Sequence, residues 1–339
     1  MRKRLAILVA STLLSSRVVA QNVASPAEIQ PVIDAVRAAQ TQTVLNVTTG
    51  TDFQENILKY DRVTLQPNSE IRFTDARAPF YVIATRVLQI RDPQTEIRIS
   101  LPRSTPDLNG RASSPGVAGS PNHDRADRSS GGVGGAGGIG GDGTNGAAYD
   151  RPYVYILVGE VRGEGPLNTA TIQRIPATIS ARGVNGGNGG RGGNGGNGGN
   201  GQGGNQGSSD LFNCDRGPGD GGPGGAGGQG GRGGAASRGG NAADVYLVGP
   251  RSLVEAISYW TIDTRPGAPG SPGLGGTPGT PGLGGFGGEP RGHCHGHGAT
   301  GARGADPEPP TRGVGPQSDE FGRRGTIYLV DFNIGNVFP

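Results

Sequence analysis

The sequence predicts a mainly β protein with irregular glycine-rich helices. A short N-terminal helix and a β-layer, consistent with a few β-solenoid rungs, precede a bundle of about six polyglycine II helices arranged as three hairpins. Three observations predict this. Gly50 is the only glycine before Gly110, so 67 of the 68 glycines lie in residues 110–339. Within that region glycine recurs at every third position in unbroken series. Two short strand patterns recur around those series at near-constant spacing.

The N-terminus has the layout of a secretory signal over residues 1–20. Arg2, Lys3 and Arg4 form a positive region, Leu5 to Leu14 is apolar, and Val18 and Ala20 are small residues preceding a cut before Gln21. Ten apolar residues are too few to span a bilayer, and no second apolar run follows. The expectation is export to the periplasm, cell surface or medium, with no membrane insertion after the signal is removed. Charge then carries little information. The chain has 31 basic and 28 acidic residues, and Arg2, Lys3, Arg4 and Arg17 leave with the signal, so 27 face 28. A near-neutral chain gives no ground for a nucleic-acid partner.

Residues 21–105 hold the conventional part. Ser25 as N-cap, Pro26 at the first position and Glu28 closing a capping box begin a helix over 25–40, with Ile29, Val32, Ile33 and Val36 on one face. Thr43–Val47, Arg62–Leu65, Glu70–Phe73, Tyr81–Ala84, Arg86–Ile90 and Glu96–Leu101 read as strands, rich in Val and Ile and punctuated by prolines.

Residues 106–339 are glycine-rich with interspersed strands. Tyr155-Ile-Leu-Val-Gly159 returns as Val245-Tyr-Leu-Val-Gly249 and Ile327-Tyr-Leu-Val-Asp331, at intervals of 90 and 82 residues. Thr178-Ile-Ser-Ala-Arg-Gly183 returns 83 residues later at Thr261. The second pattern enters a glycine series and the first follows one, which is why each series reads as a hairpin. Each has a middle poor in glycine: 121–130, 208–216 and 289–297.

A three-residue extended helix makes no internal hydrogen bonds, so its backbone groups must bond neighbours. A glycine row lets a second backbone approach, and the third residue faces outward. In residues 183–207 that residue is mostly Asn, as expected for a wet face. A collagen-type triple helix and a disordered glycine linker are the competing readings. The first requires a glycine period unbroken over a long stretch, and the second needs no regular strands.

The segment GVNGGNGGRGGNGGNGGNG resembles the polyglycine II domains of receptor-binding adhesins on phage long tail fibres and the six-helix glycine-rich antifreeze proteins of springtails. Residues 267–288, with APGSPG and TPGTPG, are similar to bacterial collagen-like proteins. The adhesin resemblance implies receptor contact through loops at one end of the glycine region.

The chemistry-bearing residues gather at the predicted tips. Cys214 and Cys294, an even pair in an exported chain, are expected to form one disulfide. His123, Asp124, Asp127, Asp210, Phe212 and Asp215 are the candidate contact residues. His293, His295 and His297 could bind a divalent transition metal through their imidazoles, against the plain alternative of a solvated turn; no other cofactor is expected. GGIGGDGTN at 137–145 fits a calcium nonapeptide, but only one copy is present where tandem copies are needed. Asp75, Asp92 and Glu96 in the β-region could suggest a polysaccharide-cleaving β-helix, but isolated carboxylates in such a layer are more often surface charge. Asn46-Val47-Thr48 is a glycosylation sequon, meaningful only in a eukaryotic secretory host.

The functional expectation is therefore an exported, non-enzymatic structural or adhesive protein. It presents tip loops to a surface receptor, polysaccharide or protein, as a monomer. A homotrimeric collagen-like matrix or surface component is the alternative, and an ice-binding protein the third.

Overall fold

The computed structural model describes residues 21–102, 107–120, 133–163, 165, 167–315 and 320–338. The expected signal at 1–20 and the first tip, with His123, Asp124 and Asp127, lie outside the described residues.

The strands are β1 (Gln21–Val23), β2 (Gln42–Val47), β3 (Thr51–Phe53), β4 (Ile57–Leu65), β5 (Glu70–Phe73), β6 (Phe80–Ile90), β7 (Ile97–Ser100), β8 (Tyr153–Arg162), β9 (Ala177–Ser180), β10 (Ser208–Ser209), β11 (Cys214–Arg216), β12 (Val245–Gly249), β13 (Thr261–Asp263) and β14 (Ile327–Asp331). The α-helices are α1 (Gln30–Ala38), α2 (Thr169–Arg174) and α3 (Arg251–Ile257). Two parallel sheets organise them, one in the order β1-β14-β12-β8-β6-β4-β2 and the other β13-β9-β7-β5-β3. Five successive circuits of the chain, β2–β3, β4–β5, β6–β7, β8–β9 and β12–β13, each give one strand to each sheet, so equivalent residues stack. Leu58, Ile83, Ile156, Leu247 and Leu329 form one buried aliphatic column through five strands. Fully burying such a side chain stabilises by about 1.5–3 kcal/mol, so the column fixes the register.

This corrects the expected architecture. The described residues form an α/β fold with a seven-stranded and a five-stranded parallel sheet and three α-helices. They do not form a mainly β layer followed by a bundle of six helices, and the polyglycine II and collagen-like descriptions fall with that bundle. The physical reason lies in β8, β12 and β14. Their Val, Ile and Leu rows bury best against the earlier strands, so they extend the N-terminal sheet instead of capping separate hairpins.

The outer face of the larger sheet is also covered. Val82, Ala84, Tyr155, Leu157, Val248 and Val330 pack against Ile29, Val32, Ile33 and Val36 of the N-terminal helical segment and against Ile334, Val337 and Phe338. Glu28 accepts the Ser25 N–H at 3.0 Å, as the capping box requires. Lys59, only 3 % exposed, donates to the carbonyls of Arg37 and Ala39 at 3.3 and 3.1 Å, where a cation suits the end of α1. Burial, with Arg86 adding to it, lowers its pKa, and Asp61 opposes the shift.

The chain leaves the smaller sheet after β7, β9 and β13 and returns to the larger one at β8, β12 and β14. The excursions are glycine tracts whose described residues form no helix or strand outside β10 and β11. Their backbone bonds run between tracts. Gly186, Gly189, Gly195, Gly198 and Gly201 donate to residues 268, 271, 277, 280 and 283, a parallel pairing at 2.8–2.9 Å. Gly219, Gly222, Gly225 and Gly228 donate to residues 205, 202, 199 and 196, an antiparallel one. Outgoing tracts thus pair with outgoing tracts, returning with returning, and outgoing with returning. Asp150 ties the mouth of the array, accepting Arg238 at 2.7 Å and the Asn241 N–H at 2.7 Å. The Arg238 hydrogen bond is the main reason its carboxyl titrates below the usual range, against the opposing effect of burial.

The asparagines of 183–207 are exposed, yet they also hold the array together. Each carboxamide oxygen of Asn185, Asn188, Asn194, Asn197 and Asn200 accepts the backbone N–H of the residue 83 positions on, at 2.8–3.0 Å. Those N–H groups point away from the glycine rows and need an acceptor. A backbone N–H can bond only oxygen, which fixes the orientation of each carboxamide. Asp142 and Asn145 do the same for residues 90 positions on, and Asn241 and Asp244 for residues 82 positions on.

Candidate functional site

The far end of the array, opposite the sheets, carries the second and third turns. Residues 208–216 form a small antiparallel hairpin of β10 and β11. Asp210 closes its turn, with one carboxylate oxygen accepting the Phe212 and Asn213 N–H groups at 2.8 and 2.6 Å. Those two backbone donors hold its carboxyl below the ordinary range. Short aspartates favour this local turn geometry, so Asp210 serves the loop and is not left free for a ligand.

Cys214 and Cys294 form the expected disulfide, with Cα atoms 4.8 Å apart. It joins the second turn to the third. Cys294 is 3 % exposed, and its sulfur sits 3.2 Å from the carbonyl oxygens of Ser208 and Arg216. Gly292 takes a left-handed φ of 59°, and a Cβ there would lie 1.8 Å from the Ser209 hydroxyl oxygen, so glycine is what lets the third turn lie against the second. The His293 ring nitrogen Nε2 lies 3.0 Å from the Leu211 carbonyl oxygen, a further tie between the turns.

The product is a tethered loop with two apolar side chains in water. Leu211 is 83 % and Phe212 82 % exposed. Of the residues expected at the tips, the structure brings Asp210, Phe212, His293, Cys214 and Cys294 together. Asp215, His295 and His297 are exposed, and His297 Nδ1 lies 3.2 Å from Glu289. Among the described residues no group of three or more His, Cys, Asp or Glu is arranged to hold a metal ion. Leu211 is the exposed apolar residue of this loop that sequence reasoning misses. Its only signal is an apolar pair inside an otherwise polar interruption.

The carboxylates of the sheet region are engaged locally. Asp75 accepts the Arg77 N–H at 2.9 Å, Asp92 the Gln94 N–H at 3.0 Å, and Glu96 the Arg98 guanidinium at 2.6 Å. The Arg98 hydrogen bond is the chief cause of a lowered Glu96 pKa. No helix among the described residues is long and apolar enough to cross a membrane. Comparison with family models, curated proteins and solved structures gives no match.

Proposed function

We propose that this chain is an exported, non-enzymatic contact protein. The two sheets and the glycine array hold out a disulfide-tied tip that adheres to a surface or partner through Leu211 and Phe212. The observation that carries the reading is the pairing of near-full exposure with tight tethering. Two adjacent large apolar side chains stay in water while Asp210, His293 and the Cys214–Cys294 disulfide fix the loop beneath them. Such a loop loses little conformational entropy on contact, and exposed apolar patches mark interaction sites. The disulfide agrees with an oxidising compartment outside the cytosol. The partner chemistry is an apolar or mixed face on a polysaccharide or protein, met by a single copy of the chain.

The test is adsorption to an alkyl-terminated monolayer, followed by quartz-crystal microbalance against a hydroxyl-terminated one. The wild type is expected to be retained on the alkyl surface. The double variant Leu211→Ser, Phe212→Ser is expected to be retained more than about tenfold less, since each lost side-chain burial is worth about 1.5–3 kcal/mol. Equal retention by the folded double variant would sink the proposal.

A further inference from the structure

The sequence contains seven Asn-Gly steps, at Asn109, Asn145, Asn185, Asn188, Asn194, Asn197 and Asn200. Asn-Gly is the dipeptide most open to deamidation, because glycine leaves its backbone nitrogen unhindered. That nitrogen loses its proton and attacks the asparagine side-chain carbonyl carbon. A new N–C bond closes a five-membered imide and ammonia departs. Water then opens the imide at either carbonyl, giving aspartate or isoaspartate.

All seven steps share one geometry. The asparagine carboxamide oxygen accepts the N–H of a single residue on a neighbouring tract, and the following glycine N–H donates to the carbonyl of that same residue. At Asn194 the residue is Thr277, whose N–H lies 3.0 Å from the carboxamide oxygen and whose carbonyl lies 2.8 Å from the Gly195 nitrogen. At Asn145 it is Ala235, at 2.8 and 2.9 Å, and at Asn109 it is Asn188, at 3.0 and 2.6 Å. The glycine N–H that must give up its proton is therefore engaged, and the carboxamide it would attack is held by the neighbouring tract.

We infer that the seven Asn-Gly steps are modification sites locked by the fold: they resist deamidation while the array is closed and become reactive where it opens. The two products then differ in effect. Asp142 and Asp220 already hold equivalent stations as carboxylates, each accepting a neighbouring N–H at 2.7 Å, so aspartate keeps the rung. Isoaspartate lengthens the backbone by one carbon and throws the glycine triplet out of step.

The test incubates the full chain at mildly alkaline pH, folded and in urea, and maps acid formation at each step by peptide mass spectrometry. Two hydrogen bonds must open first, so the folded chain is expected to react about tenfold slower or more at every step. The variant Thr277→Pro removes the N–H facing Asn194, at a position that the following Pro278 biases toward extended backbone. It is expected to speed Asn194 relative to Asn197, whereas Thr277→Ala leaves the two alike. Equal rates in the folded and unfolded chain, or an Asn194 as slow as Asn197 in Thr277→Pro, overturns the inference.

Discussion

Gly276→Ala is expected to destabilise the protein by about 3 kcal/mol or more, read as a lower urea midpoint or melting temperature. Gly276 donates to the Gly231 carbonyl at 2.9 Å, and an added Cβ would sit 1.9 Å from the Gly193 carbonyl oxygen. That oxygen belongs to backbone held by its own bonds, so it cannot swing aside as a side-chain end would. The three tracts must separate, and each interrupted hydrogen bond costs about 0.5–1.5 kcal/mol, with more for any group left unpaired. Gly217→Ala is the matched control, because a Cβ there meets nothing within 4 Å. It is expected to change stability by no more than about 0.5 kcal/mol. Similar losses from both variants would mean that close backbone contact does not hold the array together.

The double variant Cys214→Ser, Cys294→Ser is expected to lose up to about 4.5 kcal/mol. The cross-link spans 80 residues, and that is the chain-entropy value for a closed loop of this length. The loss arises in the unfolded chain, which regains the freedom that the bridge removed. In the folded chain the change is local, since the second and third excursions stay paired along 186–204 and 268–286 without the sulfur bridge. Reductant should lower the melting temperature of the wild type and leave the serine variant where it is. A wild-type melt indifferent to reductant would show that the bridge contributes nothing to stability.

Some of this was legible in the residues. Ser25, Pro26 and Glu28 mark the first helix, and its apolar face at Ile29, Val32, Ile33 and Val36 is the face that packs. The recurring strands are also plain, but periodicity says which side chains are buried, not what they are buried against. Nothing local to Val245–Gly249 or Ile327–Asp331 shows that they join the sheet that holds β2, β4 and β6. The repeat intervals held more than their count. Spacings of 90, 83 and 82 residues between strands are also the offsets of the Asx-to-backbone rungs, because tracts that start in register stay in register. Helices α2 and α3 are hidden by their length, six and seven residues between strands. Leu211 is faint for a different reason, since an apolar pair in a polar interruption is its one mark. What sets it apart is exposure, and the pair alone does not say whether it faces water or a core.

Hydrogen–deuterium exchange of the wild type, free and adsorbed on the alkyl surface, tests most directly the claim that the tip is the contacting end. The predicted result is slowed exchange confined to 208–216 and 291–297, with the tracts and both sheets unchanged. Slowed exchange along the tracts or over the outer face of the seven-stranded sheet, with the tip unaffected, would contradict it.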